Sequence, residues 1–120
     1  MRTIKFRGRD KAGRWLYGDL MFWHGDRNDP WIQTGFENKF GTWTAQGGSV
    51  QPETVGQYTG LKDTEGMEIY EGDLVETFIG ELKVVWSNHD GEAGFRLQDD
   101  GGSLFSIRGM EMTVKGNIHE

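Results

Sequence analysis

The sequence has no cysteine, two prolines and only three alanines, Ala12, Ala45 and Ala93. Without cysteine, neither a disulfide framework nor a thiolate metal site is possible. Small secreted domains usually depend on such staples, so the expected compartment is the cytoplasm. Long hydrophobic runs are missing as well: the longest, Leu20 to Trp23, falls far short of a membrane span. The opening Met1-Arg2-Thr3-Ile4-Lys5-Phe6-Arg7 carries charge with no apolar stretch behind it, which argues against a signal peptide. No ten-residue window keeps helical periodicity without a glycine, so helix should be minor.

Glycine and aromatic surface are what the chain has in quantity. Its 120 residues include 19 Gly, 5 Trp, 3 Tyr and 7 Phe. That mixture favours strands joined by tight turns, with aromatics supplying much of the surface to be buried. The length suits one domain with one core. The net charge of −6 hides an asymmetry. Residues 1–14 hold six of the 13 basic residues and one acid, Asp10, a balance of +5; the remaining seven basic and 18 acidic residues give −11. A general nucleic-acid binder is normally basic, so the global balance argues against that role while the local cluster keeps it open.

Hydrophobic alternation is close to two wherever it is legible. Ile4, Phe6 and Gly8 alternate with Lys5, Arg7 and Arg9, which describes a strand with one apolar and one basic face. Asp10 to Gly13 reads as a turn, and Trp15 to Trp23 as a strand interrupted at Gly18-Asp19. Residues 24–50, with isolated Trp31, Phe36, Phe40 and Trp43, read as short strands and loops. Beyond them, strands are expected at Val55–Tyr58, around Met67 and Ile69, at Leu74–Phe78, Glu81–Trp86, Ala93–Leu97, Ser103–Ile107 and Met112–Ile118, with a loop at 87–92. Leu74, Val75, Leu82, Val84, Trp86, Phe95, Leu97, Leu104 and Ile107 are the candidate core.

Two stretches echo each other. Phe6-x-Gly8-x-Asp10-x-x-Gly13-x-x-x-Tyr17 is similar to Tyr58-x-Gly60-x-x-Asp63-x-x-Gly66-x-x-x-Tyr70. Either two related hairpins are present, or turn chemistry alone repeats.

Catalytic patterns are lacking. His24, His89 and His119 have no metal-site spacing to other ligands. His89-Asp90 without a nucleophile reads as a turn, and Asp26-Arg27-Asn28-Asp29 lacks the glycine and distant glutamate of a Ca²⁺ loop. Neither a nucleophile elbow nor a phosphate-binding glycine loop occurs. The chain is therefore expected to be neither an enzyme nor a cofactor binder.

Ile4-Lys5-Phe6-Arg7-Gly8, Trp15-Leu16-Tyr17-Gly18-Asp19-Leu20, the long block Val55 to Asp63 with Gly66 to Val75, and Gly116-Asn117-Ile118 resemble the YopX family of phage and prophage proteins. The resemblance implies a mainly β fold, a small SH3-like β-barrel elaborated by N-terminal strands. Residues 1–120 would form a single domain, with strands of 1–50 on a barrel-like part 51–120. It also implies a tendency to self-associate and no established activity. Family members usually continue past the closing motif with an aromatic and an acidic-apolar tail, where His119 and Glu120 end this sequence.

Binding is the expected role: self-association, or docking of a host or phage protein through sheet edges and exposed aromatics such as Trp31 or Trp43. The alternative is nucleic acid on Lys5, Arg7 and Arg9, against the plain reading of a solvated, charge-protected strand. That basic stripe could also meet acidic turns of a neighbouring copy, such as Glu65-Glu68 or Asp99-Asp100, in a head-to-tail contact. Far-UV circular dichroism should show β signal; a spectrum dominated by helix would overturn the fold class.

Overall fold

The computed structural model describes residues 4–22, 25, 28–89 and 91–119, the side chains of His89 and Glu92 excepted. These residues form eleven strands and one 3-10 turn, Pro52–Thr54. Two compact units divide the chain, residues 1–57 and 58–120, with one strand running across the division.

In the first unit, β1 (Phe6–Arg9), β2 (Trp15–Phe22), β3 (Pro30–Lys39) and β4 (Thr42–Ser49) form an antiparallel sheet ordered β4-β3-β2-β1. The first residues of β5 (Gly56–Lys62) close on the far side of β1, with Gly56 opposite Arg7. The 3-10 turn is clipped to β1: Thr54 Oγ1 accepts the Arg9 N–H at 2.8 Å, and Arg9 O accepts the Gln51 N–H at 2.8 Å. Side-chain alternation buries Ile32 and Val50 on one face. Gly8 lies there because a Cβ would sit 2.6 Å from Val50 Cγ2.

Two further glycines explain how β3 is held. A Cβ on Gly18 would lie 2.0 Å from the Gln33 carbonyl oxygen, and one on Gly47 2.0 Å from that of Ile32. The flanking strands thus approach β3 from both sides where only glycine fits. Directly after this point β3 takes in an extra residue, Thr34, as a bulge: Gln33 pairs with Gly47, but Gly35 pairs with Gln46.

In the second unit, β5 pairs with β6 (Glu68–Tyr70). A five-stranded antiparallel sheet follows, ordered β10-β9-β8-β7-β11, from β7 (Asp73–Thr77), β8 (Gly80–His89), β9 (Glu92–Gln98), β10 (Leu104–Ser106) and β11 (Thr113–Asn117). Its core is Ile69, Val75, Leu82, Val84, Leu97, Ile107 and Met112, with Leu61, Phe95, Phe105, Met110 and Val114 packed against it. Each fully buried aliphatic side chain contributes ~1.5–3 kcal/mol.

Three hairpins share one turn. Asp10, Asp63 and Asp99 each accept the N–H of the residue three positions on, Gly13, Gly66 or Gly102, through their carbonyl oxygens. Each also uses Oδ1 to accept the N–H four residues on, from Arg14, Met67 or Ser103, at 2.8 Å in all three. The closing glycines have φ of +87°, +84° and +88°, where a Cβ is disfavoured. The first two turns are equivalent, each joining antiparallel strands. The third, between β9 and β10, lacks the rest of the echoed pattern, so turn chemistry suffices to explain the echo.

Several expectations need correction. The sheets are mainly β as expected, but neither closes on itself among the described residues, so a closed barrel is not seen. β2 runs unbroken through Gly18-Asp19, residues 30–49 form one long hairpin, and the expected loop at 87–92 is mostly the β8–β9 hairpin. Trp86 is 49% exposed, because β8 carries it beyond the core, where its ring meets Phe95 edge-on at 4.8 Å. Leu74 and Leu104 are half-buried.

Asp63 does more than close its turn. Its Oδ2 accepts the Val114 N–H at 2.9 Å, tying β11 to the β5–β6 hairpin, and Thr64 N–H donates to Met112 O at 3.1 Å. The Val114 N–H, followed by those of Met67 and Glu65, holds the Asp63 carboxyl below its ordinary value of 3.8 against an opposing desolvation. The Arg14 N–H and guanidinium lower Asp10 likewise. Lowered folded-state values mean that folding favours the ionised forms. Their stabilisation is complete above the unfolded value and is lost as pH falls through the folded ones. Stability should therefore decline on acidification below about pH 4, and less steeply in Asp63→Asn, as read by urea unfolding across pH. At neutral pH, Asp63→Ala should cost about 2–3 kcal/mol, more than Asp10→Ala. Gly18→Ala should cost ~2 kcal/mol or more by forcing β2 and β3 apart.

Candidate interaction surface

The register of the first unit sets which side chains share a face. Opposed residues in an antiparallel ladder lie on one side of the sheet. Met21 opposes Trp31, and Trp31 opposes Ser49. Past the Thr34 bulge, Phe36 opposes Ala45 and Asn38 opposes Trp43. The bulge shifts β3 by one residue, so Trp31 and Phe36 occupy the same face despite their odd separation. Tyr17, Met21, Trp31, Phe36 and Trp43 therefore line one surface of β2–β4, opposite to buried Ile32. Tyr17 is 46% exposed, Met21 43%, Phe36 63% and Trp43 68%. The one charged side chain on that face of the three strands is Asp19.

The reverse face of the hairpin is polar. Gln46 Nε2 donates to Glu37 Oε2 at 2.5 Å, and Lys39 Nζ stands 3.9 Å from Glu37 Oε1. Thr42 and Thr44 complete it. The β3–β4 hairpin is thus a two-sided ribbon, aromatic on one face and charged on the other.

Its tip adds an unusual residue. Lys39 pairs with Thr42, leaving Phe40-Gly41 as a two-residue loop with φ of +54° and +81°. Such turns favour Asn-Gly, because a bulky side chain is strained at positive φ. Phe40 occupies that position with its ring fully in solvent. The positive φ carries a conformational cost that the exposed ring does not offset by burial.

The proposed binding residues divide between these settings. Trp43 stands exposed on the aromatic face, and Trp31 lies half-buried on the same face. Lys5 and Arg9 are half-buried, and Arg7 is only 6% exposed, its guanidinium 4.8 Å over the Trp15 ring. The stripe is thus not uniformly solvated: β1 is an interior strand of its sheet, and Arg7 is buried with its guanidinium over Trp15. The aromatics of residues 31–43, Phe36 and Phe40 among them, are candidates from the sequence for apolar contacts in self-association, whereas Tyr17 and Met21 are not legible there as members of this face.

No group of three metal-capable side chains occurs among the described residues. His24, Asp26, Arg27, Asp90 and Glu120, like Arg2 and Trp23, lie outside them, as does the His89 side chain. His119 donates its backbone N–H to Asn117 Oδ1 at 2.9 Å. Nor is any helix among the described residues long and apolar enough to cross a membrane.

The family model for YopX protein matches residues 5–120, nearly the full length. The chain belongs to the YopX family. A crystal structure of protein EF1440 from Enterococcus faecalis is similar over 100% of this chain and 96% of that one, with a TM-score of 0.64 and 22% identity. At that identity the likeness bears on the fold alone. No curated protein matches the sequence. Within this YopX family chain, the face of β2–β4 sets the exposed Tyr17, Met21, Phe36 and Trp43 on one side of the sheet.

Proposed function

We propose that the chain is a non-enzymatic phage or prophage accessory protein that acts in the bacterial cytoplasm as a protein-interaction and self-assembling module. The observation that carries this reading is the aromatic, nearly uncharged face of β2–β4. Protein interfaces are enriched in Trp, Tyr, Phe and Met and depleted in charge at their centres, whereas nucleic-acid surfaces need accessible Lys and Arg. Phe36 and Trp43 side by side on a ribbon are the kind of residues that dominate binding energy. The second unit supplies a scaffold that we read as an SH3-like barrel left open between β10 and β11. The return of the last strand, β11, to the first, β7, supports that reading.

The alternative, nucleic acid on Lys5, Arg7 and Arg9, finds less support, because Arg7 is nearly covered. Head-to-tail pairing of that stripe with acidic turns weakens for the same reason. Asp99 moreover already holds its own turn.

Phe36→Ser with Trp43→Ser should abolish concentration-dependent association in light scattering, and remove host proteins captured by the native chain, without lowering the melting temperature. Phe40→Asn should raise stability by ~1 kcal/mol through relief of the positive-φ strain while weakening the same interactions. Salt-sensitive retention of the native chain on heparin would favour the nucleic-acid reading instead.

A further inference from the structure

β4 ends its sheet, and its sequence Thr42-Trp43-Thr44-Ala45-Gln46-Gly47-Gly48-Ser49 contains neither a charged residue nor a proline. Edge strands are normally kept short, charged, bulged or covered, because a bare row of N–H and C=O groups recruits another strand. The other sheet ends follow that rule. β6 and β10 span three residues each, and the Asp63 turn bonds to β11. β4 spans eight residues, and the bulge beside it belongs to β3.

The backbone of β4 can be oriented. Val50 N–H donates to Pro30 O at 3.1 Å, so it points toward β3. Alternation along the strand then turns the N–H and C=O groups of Trp43, Ala45, Gly47 and Ser49 outward. Among the described residues no strand takes them.

We infer that this edge pairs with β4 of a second copy of the chain, antiparallel about a two-fold axis, extending the sheet from one subunit into the next. The inference rests on the interaction reading above and names its partner. A two-fold perpendicular to the sheet keeps each face on its own side, so odd-numbered residues of one β4 oppose odd-numbered residues of the other. Centring the axis on Ala45 sets Trp43 against Gly47 of the other copy; centring it on Gln46 sets Trp43 against Ser49. In both registers a large ring lands on a small residue, next to Trp31 of that copy, which itself faces Ser49 across the ladder. Each copy thus presents both the knob and the bed of small residues, which is the self-complementarity an isologous contact requires. Absence of charge along β4 also lets two chains of net charge −6 meet without opposing like charges at the seam. Aromatic side chains of ~150–250 Å² each bring a strand-edge contact toward the ~800 Å² per partner of a stable association.

The cysteine-free sequence makes the test direct. Ala45→Cys and Gln46→Cys stand at the axis positions of these two registers, so one of them should oxidise quickly to a covalent dimer. Lys115→Cys, exposed on β11, should not. Ala45→Pro removes an outward N–H and leaves the β3 ladder intact, and Thr44→Lys adds an edge charge should proline impair folding. Each should weaken dimerisation at least tenfold in sedimentation equilibrium, with an unchanged melting temperature. Association lost in Trp43→Ser but retained in Ala45→Pro and Thr44→Lys would overturn strand pairing and leave the aromatic face as a docking surface. A monomer at high concentration with no cross-link at either position would also overturn it. Capture of a different protein that depends on Trp43 would then still support the interaction reading.

Discussion

The second unit depends on the carboxylate of Asp63. Three backbone N–H groups, from Glu65, Met67 and Val114, converge on its two oxygens at 2.8–2.9 Å. Two of them belong to its own turn and the third lies 51 residues away, so a local turn becomes a long-range tie. Buried N–H groups must find acceptors, and a carboxylate accepts several more strongly than a carbonyl accepts one. The edge at β11 is thereby closed without adding another strand. Asp10 shares the turn geometry, but its Oδ2 accepts the Arg14 Nε–H of the same hairpin at 2.9 Å. One motif therefore serves as a local clasp in the first unit and as a structural joint in the second.

That difference parallels the distribution of apolar surface. The second unit gathers Ile69, Val75, Leu82, Val84 and Leu97 into a core from which water is almost fully excluded. The first unit buries Ile32 and Val50 but leaves Phe36, Phe40 and Trp43 in solvent. Hydrophobic burial is the main favourable term in folding, so side chains this large are not left exposed to strengthen the fold that displays them. Their conformational setting agrees. Phe40 occupies a turn position where asparagine would be easier, and the β3–β4 ribbon carries its polar contacts on the other side.

Much of the second unit was legible in the sequence, because one buried face per strand produces clear alternation. Leu82 and Val84 on β8 and the Asp-Gly turns were readable for that reason. The β3–β4 hairpin was not. Neither side of its outer half is buried, so no selection for alternation is written into residues 34–46, and the Thr34 bulge changes parity midway. Trp31 and Trp43 are candidates from the sequence simply as aromatics without an evident place in the core. That they share a face became apparent only from the register. The burial of Arg7 is not legible for a related reason: alternation puts Arg7 and Arg9 on one face of β1, but cannot say whether that face meets water. Trp86 shows the same limit, since period-two patterning does not tell where along β8 the core ends.

An exposed aromatic face and an open strand edge on the same hairpin constrain one another. A partner that used the face alone would leave the outward N–H and C=O groups of β4 to water, and nothing would then disfavour a lysine or proline along that strand. A partner that used the edge alone would not require Trp43 or Phe36. A strand added to β4 meets both, since its backbone fills the edge while its side chains extend the face beside Trp43. Gly47 fits this arrangement, because it lies on the face of β4 that carries Trp43 and Ala45. A side chain there is excluded by the close approach of the Ile32 carbonyl, whereas Gly48 lies on the reverse face, opposite Ile32 and toward Leu16. The outer surface of β4 beyond Ala45 consequently stays low, and a ring from outside the chain can lie across it.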